Sequence, residues 1–319
     1  MHGSPSPVRV IVVSLVLAVC AGGLSAQSTW PRSVTDDMNA TMRIPGPPQR
    51  IISMTLPTDE ILLSLVPADR LVAVTGFSAD PAVSNVVSRV AGIPMKLNQL
   101  NAEVVIALRP DLVFVADWTD PASVEQLRDA GLTVYRFRSP VTVAGIEESI
   151  ARIGDAVGAE EAARGVVRGM EAKLAEVNAR LAPLPSDKRL SVMDYNTWGT
   201  SMGAGSSWDE IVRRAGLRNA VDGLRADAHG AVPIAREKIL QLDPDILLVP
   251  AWVYGNAGGS DAFYRGIMSD PAMKGLRAVR KGRVYRMPEN IKSSTSQYIV
   301  LAIESLARYA YPELFKEPR

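Results

Sequence analysis

Glu103 to Trp118 reads EVVIALRPDLVFVADW, and Glu237 to Trp252 reads EKILQLDPDILLVPAW. The two stretches align without a gap at an offset of 134 residues. Identical positions are Glu103/Glu237, Leu108/Leu242, Pro110/Pro244, Asp111/Asp245, Val115/Val249 and Trp118/Trp252. Each copy spells a short helix, a Pro-Asp turn, a strand, and an aromatic residue just past the strand's carboxyl end. The proline disfavours helical geometry in the residue before it and so closes the helix. From Leu112 to Ala116 no residue is polar, as expected of a parallel strand covered on both faces. Helix-Pro-Asp-strand is common in α/β proteins, so convergence is the plain alternative. The matched Glu and Trp at both ends favour two related lobes. Ligands in open α/β sheets bind beyond the carboxyl ends of strands, so Trp118 and Trp252 are expected to face each other across a cleft.

The surrounding segments extend the alternation of strand and helix. Arg50 to Met54 reads as a strand, and a helix is expected from Asp59. Leu71 to Val74 is a second strand, Ser123 to Ala130 a helix stopped by Gly131, and Leu132 to Phe137 a strand. One long helix follows, Ala159 to Ala182. Its apolar residues Val166, Met170, Leu174, Val177 and Leu181 step by 4, 4, 3 and 4, one face of a 3.6-residue period. Such a helix is about 35 Å long, the span of a small domain. Pro183 and Pro185 end it, and Arg189 to Tyr195 opens a second α/β series. There, Ser207 and Glu210 read as a capping box, and Ile246 to Val249 and Val284 to Met287 are strands before a last helix, Ile299 to Tyr309. The expected fold class is therefore α/β: two lobes with mostly parallel sheets, at 50–158 and 187–319, linked by a single rigid helix at 159–182. Residues 27–49, polar and carrying Pro45-Gly46-Pro47-Pro48, are expected to be an extended lead-in without a core.

Residues 1–26 read as an export signal. Arg9 precedes an apolar run from Val10 to Val19, and Leu24-Ser25-Ala26 is a small-residue cleavage site before Gln27. A rival cut lies at Leu17-Ala18-Val19-Cys20, which resembles a bacterial lipobox with Cys20 lipidated. Val19 is bulky for that position, which favours the cut after Ala26. Removing Arg9 from 35 basic residues leaves 34 against 34 acidic ones, so no basic excess points to nucleic acid. Cys20 is the single cysteine, and His2 and His229 are the two histidines. That excludes a disulfide framework and leaves no cysteine or multi-histidine metal site.

The stretches RIISMTLPTDEILLSLV, NAEVVIALRPDLVFV, REKILQLDPDILLVP, WDEIVRRAGLRNAV and KGRVYRMP resemble the substrate-binding proteins of bacterial ABC importers for iron-siderophores, haem and vitamin B12. The resemblance covers roughly Arg50 to Phe315. It implies two lobes joined by one rigid helix, a cleft that holds a metal chelate, no catalytic cofactor, and a membrane permease as partner. It also implies that Glu103 and Glu237 dock onto permease arginines. Their local alternative is helix stabilisation, since a carboxylate in a first turn favours the helix dipole.

Several residues are candidates to touch a ligand. Trp118, Trp252 and Tyr254 follow strand ends, Tyr195 and Trp198 follow the first strand of lobe two, and Lys292 follows the last strand. Thr58 would offer a hydroxyl and free N–H groups at a helix start, or would act only as the cap. For haem, His229 or a tyrosine would be the axial donor. A monomer, exported to the periplasm or cell surface, is expected. Two other readings compete with this one. Gly199-Thr200-Ser201-Met202-Gly203 fits the G-x-S-x-G of α/β-hydrolases, with Asp209, Asp222 or Asp227 and His229 in the right order. The Gly203-Ala204-Gly205 run after it and the short span to His229 argue against a nucleophile elbow. A free-metal-ion importer protein would need carboxylates and tyrosines in place of histidines.

Overall fold

Alternate residues of each strand face different cores, and that alternation builds the molecule. A computed structural model describes residues 29–316. The expected export segment with Cys20 lies outside the described residues, as do residues 317–319. Strands β1 (Arg32–Thr35) and β2 (Thr41–Ile44) form an antiparallel hairpin. Lobe one continues through β3 (Ile51–Ser53), α1 (Leu56–Leu65), β4 (Leu71–Thr75), α2 (Val87–Val90) and β5 (Met95–Leu97). It then runs through α3 (Ala102–Ala107), β6 (Leu112–Ala116), α4 (Pro121–Asp129), β7 (Val134–Phe137) and α5 (Val143–Val157). Its parallel sheet has the order β5-β4-β3-β6-β7. Helix α6 (Glu160–Leu181) leads into lobe two.

Lobe two comprises β8 (Ser191–Asp194), β9 (Thr200–Met202), α7 (Ser207–Arg214), β10 (Arg218–Asn219), β11 (Ala231–Pro233) and α8 (Arg236–Leu242). After these come β12 (Ile246–Leu248), α9 (Gly259–Ser269), α10 (Arg277–Arg280), β13 (Val284–Tyr285), α11 (Glu289–Lys292) and α12 (Ile299–Ala310). Its parallel sheet has the order β10-β8-β12-β13, and β9 and β11 pair antiparallel beside it. In both lobes the chain starts in the middle of the sheet, steps to one side, and returns to the other. The reversal lies between β3 and β6 in lobe one and between β8 and β12 in lobe two.

Ile51, Leu112, Phe114 and Tyr135 of the first sheet, and Val192, Ile246 and Leu248 of the second, share one continuous core with α1, α5, α6, α7 and α12. The alternate residues Ile52, Val113 and Val115 face a private core under α3 and α4, and Met193, Leu247 and Val249 face another under α8 to α10. Helix α6 is the common wall: Ala163, Met170, Leu174 and Val177 are buried in the shared core. Its outer face carries ion pairs from Glu161 to Arg164 and Arg168, and Lys173 reaches Glu304 of α12 at 3.3 Å. Gly158, at φ +69°, separates α5 from α6, and a Cβ there would stand 2.9 Å from the Trp30 ring. Gly158 and Ala159 are thus the whole connection between α5 and α6.

Two sequence expectations change here. The lead-in has a core: Val34 and Ile44 of the β1–β2 hairpin are buried in lobe one. Asp36 makes the hairpin turn by accepting from Met38 N at 2.9 Å and Ala40 N at 2.8 Å, and its second oxygen accepts from Arg136 N of β7 at 3.2 Å. Val34 and Ile44 are joined there only by the half-buried Trp30 and Met42, so the polar composition hid the packing. The second change is the cap of α7, which is Ser206, accepting from Asp209 N at 3.2 Å. Glu210 does not reach back to Ser207; it accepts from Val143 N at the start of α5 at 3.2 Å.

Candidate functional site

The carboxyl ends of β8 and β12 open into a cavity of about 480 Å³. Trp198, Trp208, Trp252 and Tyr254 wall it, and Asp194, Glu289 and Lys292 form its polar side. A second cavity, about 290 Å³, shares Trp252, Glu289 and Ser293 with the first. It reaches lobe one through Leu56, Pro57, Glu60 and Val83. The cleft between the lobes is therefore continuous and lies where reversed strand order leaves a crevice. At its mouth Phe77 of lobe one meets Tyr254 of lobe two with ring centroids 6.3 Å apart, and Tyr254 meets Trp252 edge-on at 5.8 Å.

The lysine of the cleft is already paired. Lys292 Nζ lies 3.1 Å from Asp194 Oδ1 and 3.4 Å from Glu289 Oε2, with its side chain 10% exposed. Burial by itself would lower the ammonium's pKa, but the two carboxylates outweigh it and hold Lys292 above its usual range. Lys292 therefore stays charged and is committed to its neighbours. Among the described residues no other Lys or Arg lines either cavity. Glu60 is raised by burial and accepts hydrogen bonds from Asn85 and Ser296. The cleft thus has aromatic walls and a net acidic floor.

The sequence candidates sort by geometry. Trp198, 84% exposed, Trp252, half-buried, and Tyr254, 73% exposed, all line the larger cavity. Lys292 lines it too, spent on its carboxylates. Trp118, 74% exposed, lines neither cavity, so it does not face Trp252 across the cleft. Tyr195 packs on Phe263 at 5.5 Å against the private core of lobe two. Thr58 does not present its hydroxyl to the cleft: it is fully buried and bonded to Ser53 Oγ at 2.6 Å and Thr55 Oγ1 at 2.7 Å. The physical reason is an earlier helix start. Thr55 is the N-cap, and Pro57 sits in the first turn, where its missing N–H costs nothing. Glu103 and Glu237 stand exposed in the first turns of α3 and α8.

Asp194, Trp208, Glu289 and Glu60 were missed by sequence reasoning. For Asp194 and Glu289 a signal existed, a carboxylate at or just beyond a strand's carboxyl end. For Glu60 and Trp208, both within helices, there was none. Ser201 sits within β9, opposite Val232 of β11, fully buried and not at a strand-to-helix turn. His229 lies in the turn before β11, its N–H bonded to Asp227 Oδ1 at 2.8 Å, and it lines neither cavity.

Two α/β lobes around a cleft, joined by one helix and closed at the strand ends by aromatic side chains, define a two-lobed ligand-binding protein. Residues 51–291 match the family described as periplasmic binding protein, and the chain belongs to that family. It is 27% identical over 296 residues to YvrC of Bacillus subtilis, described as an uncharacterized ABC transporter substrate-binding lipoprotein, covering 90% of this chain and 88% of that one. It is 25% identical over 264 residues to a cobalamin-binding protein of Halobacterium salinarum, covering 78% and 69%. Among solved structures, Helicobacter pylori CeuE with Ni(II) bound has the same fold, with a TM-score of 0.72 at 21% identity over 90% of this chain and 91% of that one.

Proposed function

We propose that this protein is the exported substrate-binding component of an ABC importer, and that its cargo is a bulky metal chelate of the corrinoid class. The carrying observation is the cleft itself, an aromatic-walled cavity whose one cation, Lys292, is neutralised by Asp194 and Glu289. Aromatic faces suit a flat macrocycle whose edge groups are uncharged. An anionic ferric siderophore, or the propionates of haem, would need unspent Lys or Arg, and none lines the cleft among the described residues. Among the described residues no imidazole lines the cleft, because His229 lies outside it, which leaves the Tyr254 phenol as the one axial donor a haem would find among the sequence candidates. Among the described residues no group of three or more His, Cys, Asp or Glu is placed to hold a bare metal ion. The cobalamin-binding relative supports the same cargo class. Glu103 and Glu237 are the permease-docking residues in this reading, and the exported chain begins at Gln27. The lipoprotein relative keeps lipidation of Cys20 as its rival.

The test is a titration of purified protein with cyanocobalamin, haemin and a ferric siderophore, followed by tryptophan fluorescence and native mass spectrometry. Cyanocobalamin should quench fluorescence and add its mass at one equivalent. Tight binding of haemin or the siderophore with none of cyanocobalamin would overturn the cargo assignment.

A further inference from the structure

We propose that the Glu60 carboxylate is an inter-lobe clasp, a positioning residue that fixes the floor of the cleft against lobe one by sharing its two oxygens between donors from opposite lobes. On the lobe-one side, Glu60 Oε1 accepts from Asn85 N at 3.0 Å and Asn85 Nδ2 at 2.8 Å. On the lobe-two side, Oε2 accepts from Ser296 Oγ and from Ser294 Oγ at 3.5 Å. The backbone carbonyl of Glu60 accepts from Gln297 Nε2 at 2.9 Å, and that same amide also donates to Ser64 Oγ at 2.9 Å. Asn85 carries the tie further: its Nδ2 donates to Asn290 O at 2.6 Å, and Asn290 Nδ2 donates back to Asn85 Oδ1 at 2.9 Å.

The partners lie 205 to 237 residues apart in the chain, so no local structure requires them to meet. Asn290 belongs to α11, the same short helix that bears Glu289 and Lys292 on the cavity floor. Whatever holds Asn290 to lobe one therefore holds those floor groups in register with Leu56, Pro57 and Val83. A buried carboxylate without a cation is costly. Burial raises the Glu60 pKa, and the hydrogen bonds from Ser296, Asn85 and Ser294 act against that rise. Its cost is offset only while donors from both lobes stay in place, so lobe separation would leave the group poorly satisfied. The shared apolar core keeps the lobes together; the clasp fixes their relative angle.

The clasp makes a distinction that a purely structural or a charge-based role does not. Glu60→Gln keeps one oxygen for Asn85 and turns its amide toward Ser294 and Ser296, whose hydroxyls can accept. Glu60→Ala removes both ends, and Ser294→Ala with Ser296→Ala removes the lobe-two end alone. With Cys20 replaced by Ser, spin labels at Gln126→Cys in lobe one and Lys274→Cys in lobe two, both exposed, report the inter-lobe distance by pulsed electron resonance without any ligand. Wild type and Glu60→Gln should share one narrow distribution. Glu60→Ala and the double serine variant should both show a broadened and displaced one. The serine variant keeps Glu60 and its lobe-one bonds, so it carries the test should Glu60→Ala fail to fold. Unchanged distributions in the variants that fold would overturn the clasp. So would a Glu60→Gln distribution broadened like that of the serine variant, because the role would then belong to the charge and not to the shared acceptors. The outcome is independent of which cargo is bound.

Discussion

Asp111 and Asp245 do the same work in both lobes. Asp111 accepts from Gln49 N at 2.6 Å and Arg50 N at 3.0 Å, just ahead of β3. Asp245 accepts from Ser191 N and Ser191 Oγ, both at 3.0 Å, at the start of β8. Each aspartate ties the repeat to the first strand of its lobe's sheet. For Asp245, burial pushes the pKa up, but the Ser191 bonds and Arg277 outweigh it, so the folded value is depressed. A depressed acid contributes stability that is present above its unfolded value and lost as pH falls through the folded one. Asp245→Ala should therefore lower stability by about 1–3 kcal/mol at neutral pH, with a shrinking difference in acid, as urea titrations at several pH values would read. An equal loss at every pH would mean that packing and not the carboxylate matters. Trp252 is the other residue to test. Trp252→Ala should weaken cyanocobalamin binding roughly three- to tenfold, while Trp118→Ala, outside both cavities, should bind as wild type by fluorescence titration. The reverse pattern would place the cleft elsewhere.

At the scale of elements, the repeat extends into the backbone. Arg109 and Asp243, again 134 positions apart, both adopt left-handed conformations, φ 47° and 41°, immediately before the repeat prolines. A pre-proline residue is barred from ordinary helical geometry, and the left-handed turn reverses the chain from helix to strand. An arginine pins each turn, but from different places. Arg50 donates to Leu108 O at 2.7 Å and Arg109 O at 3.1 Å, whereas Arg277 of α10 donates to Asp243 Oδ2 at 2.8 Å and Asp245 Oδ1 at 3.0 Å. Helix α6 is the element whose sequence spoke most plainly. Its buried Met170, Leu174 and Val177 belong to the expected stripe, whose Val166 and Leu181 are half-buried against the same core, and its ends fall within a residue of the expected ones. Met170→Ala should cost about 2–5 kcal/mol, seen as a lower urea midpoint with unchanged slope. A loss of less than about 1 kcal/mol would mean that the shared core re-packs around the gap.

The whole molecule presents two helix starts, α3 and α8, one per lobe, each with an exposed glutamate. In the proposed delivery to a permease, charge at an interface rim governs encounter and register more than affinity for cargo. Glu103→Arg with Glu237→Arg should leave cargo binding unchanged and reduce uptake by cells that depend on this protein, more than either change alone. The defect should ease as salt rises, since screening acts over about 10 Å at 0.1 M. Normal uptake in the double variant would assign both glutamates to stabilising their helices.

What the sequence determined by itself was the architecture: the repeat, the alternation of strand and helix, and the long linking helix are local periodicities, and local periodicity is carried by adjacent residues. Trp198, Trp252, Tyr254 and Lys292 were also legible, because the strand-end rule needs only the strands. What tertiary structure alone decided was which of several equivalent positions meet. Trp118 and Trp252 occupy the same place in the repeat, yet only Trp252 lines the cleft. Thr58 was read one turn off because Pro57 opens α1 instead of breaking it. The hairpin before residue 50 rests on Val34, Ile44 and the half-buried Met42, a pattern too short to read as a core in the sequence. The acidic floor and the Glu60 clasp join residues from opposite ends of the chain, brought together by the packing of α1 and α12 against α6. Pairing across such separations leaves no periodic trace in sequence, because its energy depends on geometry that exists only after both lobes have folded.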